Sequence, residues 1–133
     1  MPSTYSSTLK LELQATGENS STWGTRANDS VISLLDEAFS LGSISIAGTG
    51  DYTLTSNNGS ADESRDMIMV LTGALTGNRN VIVPATNRMW IVYNNTSGAF
   101  TVTVKTSGGT GIIVPQGSKA ILYNDGTNVV NAV

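Results

Sequence analysis

Between Val81 and Tyr123 the chain alternates short apolar runs with clusters of turn-forming residues, and this alternation limits what it can fold into. The runs are residues 81–83, 89–93, 100–104 and 120–123, with 112–114 as a shorter fifth. Pro, Asn, Ser and Gly fill the gaps at 84–87, 94–98, 107–111 and 115–118. Runs this short, rich in Val, Ile, Thr and aromatic side chains, read as strands rather than helices. A repeat of roughly ten residues per strand and turn predicts an all-β sandwich. The expected fold is mainly β, a β-sandwich or jelly-roll-like barrel, with an N-terminal extended arm and one short helix.

Residues 8–14 alternate, with Leu9, Leu11 and Leu13 on one side and Lys10 and Glu12 on the other. This predicts a half-buried strand or arm. A polar loop, TGENSSTWG, follows at 16–24, and its lone Trp23 is an anchor candidate. Residues 25–41 predict a helix. Val31, Leu34, Leu35, Ala38 and Leu41 share a face, Asn28, Asp29 or Ser30 can cap its start, and Gly42 can end it. Beyond Gly42 the period becomes two, with Ile44 and Ile46 and then Tyr52 and Leu54 alternating with polar residues. Residues 56–66 predict an exposed polar loop with a helical turn near Asp62 to Asp66. Residues 67–71 predict a strand. Asn124-Asp125-Gly126-Thr127 predicts a hairpin turn, with Val129-Val130 as the terminal strand. No internal repeat stands out. The chain divides into residues 1–42 (arm, loop and helix, for attachment) and 43–133 (the β domain, expected to be self-supporting).

The strand at 100–104 alternates Phe100, Val102 and Val104 with Thr101 and Thr103, and so has one wet face. Residues 67–71 and 89–93 do not alternate and are apolar on both faces. A sandwich strand normally buries one face only. The second face needs cover from the helix or from a neighbouring subunit. The helix is too short to cover several strands, so a homo-oligomer is expected, with Met67, Met69, Met89, Trp90 and Ile91 at a trimer interface.

The side-chain inventory excludes much chemistry. With no His and no Cys, there is no Ser-His-Asp or Cys-His site and no His- or Cys-bound zinc. Asp62, Glu63 and Asp66 cluster in one loop, but a glycosidase needs two carboxylates across a cleft, and consecutive acids read as a solvated surface. The loop also lacks the spaced Asp/Asn, Gly and distal Glu of a calcium loop. Gly108-Gly109-Thr110-Gly111 has no Lys and no following helix, so it predicts a turn rather than a phosphate cradle. No enzyme activity and no cofactor are expected. Charged residues make up 13% and the net charge is −3, which disfavours nucleic acid. The N-terminal residues carry no signal-peptide pattern and no run is long enough to span a bilayer, so no membrane is expected.

The wording of several segments resembles a known group. TGENSSTWG at 16–24, followed by a helix ending in Ala38-Phe39, resembles a segment found near the N-terminus of tailed-bacteriophage structural proteins, often labelled tail fibre. Tyr52-Thr53-Leu54, Asp62-Glu63-Ser64-Arg65, Val81-Ile82-Val83-Pro84, Ile91-Val92-Tyr93-Asn94-Asn95 and Tyr123-Asn124-Asp125-Gly126 resemble the same group. The resemblance covers nearly the whole chain. It implies a non-catalytic virion protein, trimeric and assembled in the host cytoplasm. A tail fibre continues into a shaft and a receptor-binding tip, whereas this chain stops at Val133 and has no collagen-like or β-helical repeat. The expectation is therefore a capsid decoration (cement) protein on the head surface, with a short tail-fibre or fibre-attachment protein as the alternative. A different class, a host-glycan-binding module, is a third. Partner binding is expected from Leu9, Leu11, Leu13, Trp23, Val31, Leu34 and Leu35, toward phage capsid or tail proteins.

Overall fold

The apolar runs form strands in the computed structural model, which describes residues 2–133. The chain is mainly β, with a short arm and a helix before the sheets. The arm makes a two-residue pair, β1 (Thr4–Tyr5) with β2 (Glu12–Leu13). The helix runs as α1 (Trp23–Ala27), a π turn (Asn28–Ile32) and α2 (Ser33–Ala38). Then come β3 (Leu41–Ser45), β4 (Gly48–Thr53), a 3₁₀ turn (Glu63–Arg65), β5 (Ile68–Thr72) and β6 (Leu75–Ile82). The last five strands are β7 (Met89–Asn94), β8 (Val102–Lys105), β9 (Gly111–Val114), β10 (Lys119–Asn124) and β11 (Val129–Asn131).

Two sheets face each other. One has five strands in the order β11-β10-β7-β5-β3, and the other has four in the order β4-β6-β8-β9. The pairs β3–β4, β5–β6 and β7–β8 each place one strand in either sheet, so like strands stack in parallel. A jelly roll pairs its strands antiparallel, so here the sandwich is built instead from three stacked coils. The coils are tied at their turns, where Gly48 N–H donates to the Ala74 carbonyl (3.0 Å) and Leu75 N–H to the Ser97 carbonyl (2.9 Å). Gly73 sits at such a turn with φ +109°, and a Cβ there would lie 2.8 Å from the Ala47 nitrogen. Only glycine combines that conformation with that approach. The repeat is structural and not one of sequence. Neighbouring coils are offset by 27 residues (Leu41 beside Ile68) and then by 23 (Ile68 beside Ile91), which hides it from inspection of the chain.

Antiparallel strands close the stack. β9 returns along β8, β10 returns along β7, and β11 returns along β10. Val129 N–H donates to the Thr110 carbonyl (3.0 Å), joining the β11 and β9 ends of the two sheets. The expected Asp-Gly hairpin is present. Gly126 has φ +101°, and the Asp125 carboxylate accepts from the amides of Thr127 and Asn128 (2.9 and 2.8 Å).

The core holds Ile44, Ile46, Met69, Leu71, Val81, Trp90, Val92, Val102, Val104 and Leu122, all fully or almost fully buried. Each large aliphatic side chain buried this way contributes about 1.5–3 kcal/mol. The buried Asn94 bridges the sheets. Its amide donates to the Val114 carbonyl (2.8 Å) and its carbonyl accepts from the Thr96 hydroxyl (2.6 Å).

Three local expectations are corrected. The helix begins at Trp23 and ends at Ala38, and Leu41 leaves it to open β3. The helix is interrupted by a π turn, in which Ser30 is buried and Ile32 exposed, and Leu34 and Ala38 are buried in the stretch that follows. Second, residues 8–14 are not one alternating strand, because Lys10 adopts φ +57° and breaks the pleat. Glu12 is then buried and Leu13 is 52% exposed, the reverse of the expected faces. Third, the 56–66 loop is not uniformly exposed, because Asp62, Ser64 and Arg65 are buried within it. The expected helical turn is there, capped by Asp62, whose carboxylate accepts from Arg65 N–H (2.8 Å).

Candidate functional site: an apolar sheet face and a buried ionic hub

Strand alternation gives each sheet an inner and an outer face, and the two outer faces differ in chemistry. On the four-stranded sheet the outward positions include Thr49, Asp51 and Thr53 on β4, Thr76, Asn78 and Asn80 on β6, and Thr103 and Lys105 on β8. Asn80 donates to Asp51 there (2.8 Å). That face is wet, as the Thr alternation at 101–105 predicted, with Ile113 as an exposed exception.

The five-stranded sheet is the opposite. Its register lines up Leu41, Ile68, Ile91 and Ile121 in one outward row across four strands. A second row runs Ser43, Val70, Tyr93 and Lys119, and a third joins Met89, Tyr123 and Val130. Leu41 (58%), Met89, Ile121 and Tyr123 are exposed, and Ile68, Val70, Ile91 and Tyr93 are half-buried by their neighbours. The Lys119 ammonium lies 4.2 Å from the Tyr93 ring centre, a cation–π contact at the rim. An open groove of about 470 Å³ runs beside Ile91, Lys119, Ile121 and Val133. The helix packs on the 3₁₀ turn, and Leu41, Met89, Ile121 and Tyr123 stay exposed on this face.

The structure sorts the expected trimer residues. Met89 and Ile91 lie on the outer face. Met69 and Trp90 are fully buried in the chain's own core and present no surface to a partner. Trp90 Nε1–H donates to the Ser64 carbonyl (3.0 Å). Met67 is half-buried just before β5. The residues missed are Leu41, Ile68, Val70, Tyr93, Ile121 and Tyr123. Their signal was present in the 119–124 run, where Ile121 and Tyr123 alternate with Ala120 and Leu122.

The expected attachment residues do not form one surface. Trp23 is 63% exposed at the helix start, and Leu13 is exposed within the arm pair. Leu9, Leu11, Val31 and Leu35 are half-buried, and Leu34 is buried in its own chain and unavailable to a partner.

The arm and helix are held by two ionic centres that the sequence did not show. Glu12 accepts from Arg26 at both oxygens (Nε to Oε2 2.9 Å, Nη2 to Oε1 2.8 Å) and from the Ser3 hydroxyl (2.7 Å). The Arg26 guanidinium, and then the Ser3 hydroxyl, hold the Glu12 carboxyl below its ordinary range. Arg65 is 1% exposed and uses all of its donating groups. Nε and Nη2 donate to the Leu9 carbonyl (3.0 and 2.8 Å), and Nη2 also to the Asn57 carbonyl (3.0 Å). Nη1 donates to the Ser60 carbonyl (2.6 Å) and to Glu37 Oε2 (3.3 Å). Asp62 stands 3.4 Å from Nη2 as a further counter-charge. One side chain of the β region thus holds both the arm, at Leu9, and the helix, at Glu37. Arg88 donates to the Ser64 carbonyl (2.6 Å) and to that of Arg65. Burial pushes the neighbouring Asp66 carboxyl up to about 6, and the Glu37 and Asp62 charges push the same way.

The acids of the loop therefore do structural work. Glu63 accepts from the Tyr52 hydroxyl (2.7 Å) and Asp62 from the Asn57 amide (2.7 Å). Among the described residues no acidic group is arranged to hold a metal ion, and no helix is long and apolar enough to cross a membrane. No protein family, curated protein or solved structure matches the chain.

Proposed function

We propose that this chain is a non-enzymatic structural protein of a tailed-phage particle, which assembles as a homotrimer and decorates the capsid. The observation that carries the self-assembly is the apolar outer face of the five-stranded sheet, set against the wet outer face of the other sheet. A sandwich needs only its inner faces for a core. A contiguous outer apolar face gains free energy by leaving water, and such faces mark interaction sites. The sparse charge of the chain suits close packing of copies. The exposed Trp23 at the helix start suits attachment to the particle, since interface energy concentrates in buried Trp side chains. The phage assignment rests on the resemblance of the segments at 16–24, 52–54, 62–65, 81–84, 91–95 and 123–126.

The test is sedimentation of the full chain at micromolar concentration beside Ile121→Glu. The wild type is expected as trimers, single or paired, and the variant as smaller species with an unchanged melting temperature. A monomeric wild type would overturn the reading. Copy number on purified particles then separates the two phage roles, because a decoration protein scales with the capsid surface and a fibre-attachment protein with the tail.

A further inference from the structure

We propose that the open edge of β3 pairs with the same edge of a second copy, antiparallel about a two-fold axis. This rests on the self-assembly reading above and adds a second contact, which joins one trimer to another. Five strands at ~4.8 Å spacing, each with about four residues of ~3.3 Å, give a face of about 300 Å². A stable interface takes ~800 Å² per partner, so the face alone falls short.

β3 is the outermost strand of its sheet, with β5 on one side and, among the described residues, no strand on the other. Its pairing with β5 uses the even residues. Ile46 N–H donates to the Thr72 carbonyl (2.8 Å), the Ile44 carbonyl accepts from the Thr72 hydroxyl (3.3 Å), and the Ser40 carbonyl accepts from Ile68 N–H (3.2 Å). The N–H and C=O groups of Leu41, Ser43 and Ser45 therefore point to the open side. A row of alternating donors and acceptors at strand spacing is matched by another extended main chain.

Natural sheet edges are guarded by charge, Pro or a bulge. β4, the corresponding edge of the other sheet, has a register shift between Gly48 and Gly50 and carries Asp51. The far side is closed by the Val129–Thr110 hydrogen bond. β3 has none of these devices, and residues 41–50, LGSISIAGTG, contain neither charge nor Pro.

A second copy fits this edge in three ways. Register with Ser43 opposite its symmetry mate puts Leu41 opposite Ser45, and no like charges meet. The outward face of the five-stranded sheet ends at β3, so pairing about a two-fold axis normal to the sheet continues that face onto the same side of the other copy. The joined sheet then has five strands from each chain, and its apolar face doubles to about 600 Å².

The test is sedimentation equilibrium of the full chain with three variants. Ser43→Pro removes an outward N–H that β5 does not use, and Ser43→Lys sets like charges across the two-fold axis. With the edge contact in place the wild type is expected as paired trimers, and each Ser43 variant is expected to lower that mass at least twofold, with unchanged far-ultraviolet circular dichroism. Ile121→Glu is expected to lose the face contact and leave a two-copy species. If both Ser43 variants sediment like the wild type while Ile121→Glu does not, the edge proposal is overturned and the face stands. If Ile121→Glu sediments like the wild type while the Ser43 variants halve, the face is overturned and the edge stands. Should Ser43→Pro fail to fold, Ser43→Lys alone decides.

Discussion

Replacing Arg65 by Met should be the most damaging single change outside the apolar core. The guanidinium has five N–H donors, and in this fold they make five hydrogen bonds, four of them to the backbone carbonyls of Leu9, Asn57 and Ser60. Met keeps most of the stem volume and removes every donor. Asp62 and Glu37 lose their shared counter-charge, and the carbonyls of Leu9, Asn57 and Ser60 lose their partner. Breaking a buried ion pair from one side costs about 3–5 kcal/mol. For a chain of this length each kilocalorie lowers the melting temperature by ~4 °C, so a fall of about 10–20 °C is expected. Thermal unfolding by circular dichroism measures it. Limited trypsinolysis adds a local readout, because freeing the Leu9 carbonyl should expose the bonds after Lys10 and Arg26 before the sheets open. Arg65→Lys should recover only part of the loss, since a single ammonium cannot reach carbonyls on three segments. A drop below about 1 kcal/mol, the range of exposed pairs, with unchanged cleavage at Lys10, would refute the view that Arg65 fastens the arm and helix to the sheets. The same geometry predicts that removing residues 1–42 leaves Arg65 short of the Leu9 and Glu37 partners, so that the remaining β region loses stability.

Two further outcomes follow from the geometry. Asp66 has a folded-state pKa raised from 3.8 to about 6, so its contribution favours the fold below about pH 4 and is lost as pH rises through 6. That shift corresponds to ~3 kcal/mol, reduced by solvent screening of this partly exposed group to about 1–2 kcal/mol. Asp66→Asn should therefore stabilise the protein at pH 7 and flatten its stability between pH 4 and 7; an unchanged pH profile in chemical denaturation would contradict this. Gly73→Ala should cost about 2–5 kcal/mol, combining a positive φ with a Cβ driven toward the Ala47 nitrogen, and a melting shift of only a degree or two would count against the stacked-turn account.

Local chemistry decided much of this protein before any tertiary contact. The β class, the strands at 67–71, 89–93 and 120–123, the Asp125-Gly126 hairpin and the helical turn near Asp62 to Asp66 all follow from periodicity and turn residues, which act over a few positions. The doubly apolar character of 67–71 and 89–93 also announced a second apolar face. What the chain could not reveal was register. Whether Met69 or Ile68 points inward depends on which residues of β3 and β7 lie beside them, and those partners are more than twenty residues away, at two different offsets. For the same reason the three-coil stacking left no repeat in the text. Lys10 and Glu12 show the limit most plainly. A period of two put them in water, but a backbone turn at Lys10 and the guanidinium of Arg26 make burial of the Glu12 carboxylate favourable. Arg65 reads as one charge in a polar loop. Its position between the Leu9 carbonyl and Glu37 exists only once arm, helix and sheets have met, because long-range ionic contacts are set by tertiary geometry and leave no local pattern in the sequence.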